Sequence, residues 1–391
     1  MKKLLFLIHT LGGGGAERVL VNLVNNMDPT QFDVTVMTVV DTGIYKKDLA
    51  PFIHYCSIIP LPSKSTENKN DSGSLLGHTT KIKTLGVKMY TFFWRHAPLK
   101  LIHKVFIGDK YDVEVAFLEG ICAKIIANSC NKNSRKFAWI HVDMVNQHKS
   151  KNVFTSEQQE RMIYDKFDKI VCVSDYVKDQ FYKLLNVDKS KLIVKYNAIN
   201  ANQIISLASE EFISNNKFTI CSVGRLNKQK NYMRLAKCAY KLHSDGYDIN
   251  TIVIGEGTGR EELSAYITKH NMSSYFKLLG FHSNPYPYVK NADLFVCSSD
   301  AEGYSTAVVE ALILGTPVVT TDCAGMSEIL GNTGSGIITK KTVDSLCNGI
   351  ETLLNDKELY HKTKENAIRR GQDFSLEKSV REIVELFDEY K

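Results

Sequence analysis

Glu302-Gly303-Tyr304-Ser305-Thr306-Ala307-Val308-Val309-Glu310 is followed by Ala311-Leu312 and then by Gly315-Thr316-Pro317-Val318-Val319-Thr320-Thr321-Asp322. An apolar run at 294–297 precedes the segment and another at 317–320 closes it, with helical periodicity over 305–314 between them. Strand, loop, helix, strand is the repeating unit of a parallel sheet covered by helices. Two glutamates at this spacing are common by chance, so the setting carries the meaning. Glu302 falls in the strand-end loop, and Glu310 lies about two turns into the helix at roughly 1.5 Å per residue. Between them the amides of Tyr304, Ser305, Thr306 and Ala307 lack intrahelical acceptors and form a ready site for a pyrophosphate. One carboxylate is then placed for sugar hydroxyls and the other for ribose hydroxyls.

The same alternation runs outward in both directions. In the second half it predicts strands at 218–223, 251–254, 276–278, 294–297 and 317–320, with helices at 232–243, 261–270 and 305–314. In the first half it predicts strands at 4–8, 33–40, 113–118, 137–141, 170–173 and 192–194, and a helix at 16–27 with Val19, Leu20, Leu23, Val24 and Met27 on one stripe. A polar stretch at 201–217 separates the halves. The expected fold is α/β, as two facing doubly wound, Rossmann-like domains with the active site in the cleft between them. The expected domains are 1–200 and 201–374, with a final amphipathic helix in 375–391 placed to pack back on the first.

At 391 residues the chain is too long for one ordinary core, and 43% apolar against 24% charged residues is the profile of a globular protein. Nine cysteines lie singly, mostly in apolar runs, which reads as buried reduced thiols of a cytoplasmic protein; no C-x-x-C pair or His/Cys cluster offers zinc ligation. Leu4 to Ile8 is too short for a signal-peptide core, and no run reaches the roughly 18 apolar residues of a membrane span.

The net charge of +6 is uneven: residues 1–200 hold 28 Lys and Arg against 19 Asp and Glu, and residues 201–391 hold 21 against 24. Between Ser72 and Gly108 there is no acid, while Lys81, Lys83, Lys88, Arg95, Lys100 and Lys104 interleave with Tyr90, Phe92, Phe93, Trp94 and Phe106. Two readings stand: a surface that meets anionic lipid headgroups, or a helical hairpin with aromatics in the core and lysines in water. No nucleic-acid recognition motif accompanies the charge.

Two further loops bear on chemistry. Thr10-Leu11-Gly12-Gly13-Gly14-Gly15 leads from the first strand straight into a helix, where Gly13 and Gly14 would let a phosphate or sugar approach the main chain. The spacing fails the dinucleotide fingerprint, although Asp41 sits where a ribose-binding acid would, so an NAD-dependent oxidoreductase stands as a rival. Gly224-Arg225-Leu226-Asn227-Lys228-Gln229-Lys230-Asn231 repeats the strand-turn-helix arrangement, and Arg225 with Lys230 suits a diphosphate, solvated surface being the plain alternative.

Taken together these motifs resemble the retaining nucleotide-sugar glycosyltransferases of family 4, which have the GT-B fold, and within them the subgroup that builds bacterial capsular, cell-wall or O-antigen glycans. The resemblance spans nearly the whole chain: Gly15-Ala16-Glu17-Arg18, Phe117-Leu118-Glu119-Gly120, Trp139-Ile140-His141, Val173-Ser174, Tyr196-Asn197, Gly224-Arg225 to Lys230-Asn231, Gly255-Glu256-Gly257, Leu279-Gly280-Phe281 and the Glu-x7-Glu segment.

It implies that Glu302 contacts the donor sugar, Glu310 the ribose, and Arg225 with Lys230 the diphosphate. Phe281 would border the nucleobase, with uridine favoured, and Tyr304, Ser305 and Thr306 would line the donor. The family often has Phe-Gly or Phe-Pro where Tyr304-Ser305 stands here, which leaves the sugar open as a hexose or N-acetylhexosamine. His141 would contact the transferred sugar, with Asp143 either orienting its ring or capping the next segment. The resemblance further implies no cofactor and no metal, a lipid-linked or other glycan acceptor, and work at the cytoplasmic face of a membrane without crossing it. A non-catalytic membrane-recruited scaffold would leave Glu302, Glu310, Arg225 and Lys230 without a purpose, and a phosphorylase on the same fold would need more chain.

Overall fold

The structure is a computed structural model, which describes residues 1–60, 89–210 and 216–388. Lys81, Lys83 and Lys88 of the basic segment lie outside the described residues. The chain divides into two compact units: Met1–Cys172 with Lys178–Lys195 and Glu382–Lys391, and Val173–Val177 with Tyr196–Arg381.

The first unit holds a seven-stranded parallel sheet in the order β3-β2-β1-β4-β5-β6-β7. Its strands are β1 (Lys2–Ile8), β2 (Phe32–Val40), β3 (His54–Ile59), β4 (Val113–Ala116), β5 (Arg135–Ile140), β6 (Lys169–Cys172) and β7 (Leu192–Val194). α1 (Gly15–Asn25) buries Val19, Leu20, Leu23 and Val24 as its periodicity requires. Then come α2 (89–96), α3 (Leu99–Phe106), α4 (Ile121–Ala127) and α5 (Glu157–Tyr164), while α6 (Asp175–Leu185) has its first residues, up to Val177, in the second unit and the rest in the first.

The second unit has a six-stranded parallel sheet, β10-β9-β8-β11-β12-β13. Following α7 (Ala201–Leu207), its elements are β8 (Phe218–Val223), α8 (Tyr232–Ser244), β9 (Ile249–Ile254), α9 (Arg260–Lys269), β10 (Phe276–Gly280), α10 (Tyr286–Lys290), β11 (Leu294–Cys297) and α11 (Thr306–Ile313). The chain continues through β12 (Val318–Thr321), α12 (Met326–Leu330), β13 (Gly336–Thr339), α13 (Val343–Asn355) and α14 (Lys357–Gln372) to α15 (Leu376–Asp388), whose residues from Glu382 onward belong to the first unit. Its core joins Leu235, Leu242, Phe276, Leu294, Val319 and Ile350.

In each sheet the strand order reverses direction once, between β1 and β4 and between β8 and β11. Loops leaving the two strands at such a point splay apart and open a crevice at their carboxyl ends. The loops so placed are those carrying Gly12 to Gly15 and Phe117 to Gly120 in the first unit, and Gly224 to Asn231 and Ser298 to Ser305 in the second.

Several expectations change. β3 and β13 were not anticipated; both are edge strands. Part of the polar stretch at 201–217 is helix α7, capped by the Asn200 side chain, which accepts from Gln203 N–H at 2.9 Å. Trp94 is only 1% exposed, so among the basic segment's aromatics it is core, whereas Phe92 at 68% and Phe93 at 51% face outward. At the end of the chain, the Phe387 ring of α15 lies edge-on to Phe6 and Phe137, with centroids 6.0 and 5.2 Å apart.

Candidate functional site

In the second unit the loop after β8 is held from below by the loops after β9 and β10. Leu226 N–H donates to the Glu256 carbonyl at 2.9 Å, Gly259 N–H to the Leu226 carbonyl at 2.8 Å, and Gly255 N–H to the Gly280 carbonyl at 2.7 Å. A Cβ on Gly255 would sit 2.0 Å from the Gly224 carbonyl oxygen, at a φ of +142°. Only glycine allows that approach.

This support presents Lys230, whose Nζ donates to Glu302 Oε1 at 2.7 Å. Ser299 Oγ donates to the same carboxylate oxygen at 2.5 Å. Burial pulls the Lys230 ammonium toward neutrality, but the facing Glu302 carboxylate outweighs it and holds the group above the ordinary lysine range. The loop that carries Glu302 is fixed as firmly. Buried Arg234 donates to the Ser298 carbonyl at 2.6 Å and to Asp300 Oδ1 at 2.5 Å, and Asn231, in a left-handed conformation at φ 44°, donates to Asp300 Oδ2 at 3.0 Å.

Ser305 is the N-cap of α11, yet its side chain makes no capping bond. Its Oγ is buried without a hydrogen-bond partner, and Ser305, Lys230, Tyr232 and Ser299 line one small cavity. A cation, a hydroxyl and a helix N-terminus thus meet there, a combination suited to an anionic group. Further along α11, Glu310 accepts from Tyr286 Oη at 3.4 Å. The Tyr304 ring lies beneath that of Tyr196, with centroids 5.3 Å apart. Thr306 opens the helix. Arg225 and Phe281 are exposed and are not drawn into the Lys230–Glu302 cluster.

In the first unit, His141 follows β5 directly. Its main-chain N–H and that of Val142 both donate to Glu119 Oε1, the second at 3.2 Å. The imidazole packs against Phe117 with centroids 4.9 Å apart, and its buried Nε2 has no hydrogen-bond partner. Burial lowers its pKa to about 4, so the ring is neutral at physiological pH. Asp143 does the capping: it accepts from Val145 N–H at 3.0 Å and from Asn146 N–H at 3.2 Å. Gly13 and Gly14 precede α1. An added Cβ on Gly13 would meet only Ile44 at 3.7 Å, whereas one on Gly14 would run into the Glu17 carboxylate, which lies over it. Asp41 is taken up by Tyr55 Oη at 2.6 Å and Lys46 Nζ at 3.1 Å.

Arg234, Ser299 and Glu328 carry no mark in the sequence pattern, and Glu119 and Ser174 stand there without a role. Glu119-Gly120 carried a usable signal: Gly120 adopts φ +77°, and its absent Cβ leaves room for Ser150. Among the described residues no group of three or more His, Cys, Asp or Glu could hold a metal ion. Nor is any helix among them long and apolar enough to cross a membrane.

Comparisons with known proteins point to glycosyltransferases. The model of the family described as Glycosyl transferases group 1 matches residues 205–370. The chain is 29% identical, over 98% of both chains, to the Campylobacter jejuni N-acetylgalactosamine-N,N'-diacetylbacillosaminyl-diphospho-undecaprenol 4-alpha-N-acetylgalactosaminyltransferase. It is 25% identical to the Escherichia coli UDP-Gal:alpha-D-GlcNAc-diphosphoundecaprenol alpha-1,3-galactosyltransferase, over 56% of this chain and 59% of that one. Among solved structures, Anabaena Alr3699/HepE in complex with UDP superposes with a TM-score of 0.73 at 18% identity, covering 100% of both chains.

Proposed function

As this chain is a glycosyltransferase of the group 1 type with the GT-B fold, we propose that it transfers a hexose or N-acetylhexosamine, with retention, from a UDP-sugar to a membrane-associated, lipid-linked saccharide. The observation that carries the reading is the Lys230–Glu302 pair beside the unpartnered Ser305 hydroxyl at the start of α11, with Glu310 on the same helix.

In this reading the diphosphate lies over the α11 N-terminus, where the main-chain amides and Lys230 offset the charge that builds as the nucleotide departs, with Arg225 reaching in from the exposed edge. Glu310 takes ribose hydroxyls, Phe281 borders the base, and Glu302, held in place by Lys230, accepts from hydroxyls of the sugar. His141, neutral and with Nε2 open, meets the transferred sugar; Gly13 leaves room for the donor, and Gly14 borders it beside the Glu17 carboxylate. The acceptor hydroxyl attacks from the face the nucleotide leaves, and the leaving phosphate takes its proton. Such a step rests on positioning and charge stabilisation and needs no metal or cofactor.

The acceptor is inferred to be carried on an isoprenoid diphosphate, as the names of the Campylobacter and Escherichia relatives state for theirs. The enzyme would meet it at the cytoplasmic face of an anionic membrane. What supports this is the outward apolar face of α2 and α3, with Met89, Phe92, Phe93, Leu101, Val105 and Phe106 exposed beside Lys100 and Lys104.

The test is a panel of UDP-, GDP- and ADP-sugars with a lipid-linked saccharide acceptor, read by released nucleotide and by the anomeric configuration of the product. Turnover with UDP-sugars and an α-linked product from an α-linked donor is expected. Turnover confined to another base, or an inverted product, would overturn the corresponding part.

A further inference from the structure

Gly303, between Glu302 and Tyr304, is tied to a residue far away in sequence. Ser174 Oγ donates to the Gly303 carbonyl at 3.1 Å, and both groups are buried. The same oxygen accepts from Val177 N–H at 3.1 Å, which makes Ser174 the N-cap of α6. One hydroxyl therefore does two things, donating to the loop and accepting from the helix, and both its proton and a lone pair are used.

The loop is also closed in on its other sides. Gly325, at φ +72°, lies so close that a Cβ would come within 2.7 Å of the Gly303 oxygen and 3.3 Å of Tyr304 Cα. Tyr196 covers the Tyr304 ring. Glu328 in turn holds the elements that supply these contacts: its carboxylate accepts from Asp175 N–H at 2.9 Å, Tyr176 N–H at 3.1 Å and Tyr196 Oη at 3.2 Å. Arg370 secures α12 by donating to the Ile329 carbonyl at 2.7 Å and the Glu328 carbonyl at 2.8 Å.

The Gly303 carbonyl and the Tyr304 N–H belong to one planar, trans peptide, so they point in opposite directions. Fixing the carbonyl toward Ser174 aims the amide the other way, on the side of the loop away from that tether. Without the tether this peptide, flanked by a glycine, is free to rotate as a unit at little cost. We propose that Ser174 is a positioning residue for transfer: it sets the Gly303–Tyr304 peptide so that the Tyr304 amide and the adjacent Glu302 keep the geometry the donor sugar requires. The proposal rests on the donor-sugar role given to Glu302 above. It assigns nothing to nucleotide binding, which falls to Glu310, Lys230 and the α11 N-terminus.

Three substitutions separate the two duties of the hydroxyl. Ser174→Ala removes both, Ser174→Thr keeps both, and Ser174→Asp keeps the cap but has no proton to donate when ionised. The expected result for Ala is a fall in kcat of about tenfold or more, with UDP affinity by calorimetry within about twofold of wild type, and faster amide exchange confined to 303–306. Thr should restore kcat and slow exchange, and Asp should behave as Ala. Full activity and wild-type exchange in the Asp variant would overturn the proposal, as would a loss of UDP affinity in Ala that parallels its loss of kcat. If wild type itself fails to bind UDP, the uridine reading falls alone, and the exchange of 303–306 in Ala against Thr decides the role of Ser174.

Discussion

Lys230 and Glu302, 72 residues apart in sequence, form a 2.7 Å ion pair at the point where the second sheet reverses its strand order. Each comes from a loop leaving one of the two strands that flank the reversal, β8 and β11. The pair is largely buried, with side-chain exposures of 20% and 8%. Removing one partner leaves the other charge uncompensated. Lys230→Met should therefore destabilise the second unit by about 3 kcal/mol, and Glu302→Gln added to it should recover a good part of that. Denaturant unfolding of the two single variants and the double variant checks this, and strictly additive losses would show that the two groups are not coupled.

Nucleotide binding and transfer should separate between α11 and the loop that precedes it. Glu310→Ala is expected to weaken UDP binding by about tenfold, the value of one charge-assisted hydrogen bond, whereas Glu302→Ala should leave UDP affinity nearly unchanged and slow transfer. Arg225→Ala should lower turnover without changing the melting temperature, since its side chain is exposed. Calorimetry with UDP alongside steady-state rates measures all three.

His141 sets a pH dependence with a definite sign. Its pKa in the folded chain is about 4 because burial disfavours the imidazolium, against an ordinary value of 6.5. Between these values the unfolded chain binds the proton and the folded chain does not, so stability falls as pH drops from 6.5 toward 4. His141→Leu should remove about 2 kcal/mol of that acid loss in denaturation curves at pH 6.5 and 4.5. The same shift predicts that the acid limb of kcat/KM carries no contribution from this imidazole near pH 6.5.

Membrane docking should depend on both apolar and basic groups of α2 and α3. Changing Phe92 and Phe93 to Ser is expected to abolish most co-sedimentation with anionic vesicles at any salt concentration. Changing Lys100 and Lys104 to Ser should cost about 1 kcal/mol each at low ionic strength and less at high salt. Binding that is indifferent to lipid charge and to all four substitutions would point to a protein partner for this face.

Local pattern made much of this protein legible. The alternation of short β-branched runs with amphipathic helices is written residue by residue, so both parallel sheets could be read, apart from the edge strands β3 and β13. Edge strands lack a neighbour on one side, and His54–Ile59 is mostly half-buried, which blurs the apolar run that marks a central strand. The Glu-x7-Glu segment was readable too, because its two carboxylates and the helix start between them lie within one short stretch.

What the sequence could not decide is which distant groups share an environment. Trp94 and its neighbours Phe92 and Phe93 are equivalent in composition, yet one is core and two are exposed, since a helix turns successive side chains to different faces and only packing selects the buried one. Ser174 and Gly303, 129 residues apart, are joined through a side-chain hydroxyl and a main-chain carbonyl. A carbonyl is present at every residue and leaves no mark in the sequence, so the tether exists only once the chain has folded and brought the two together.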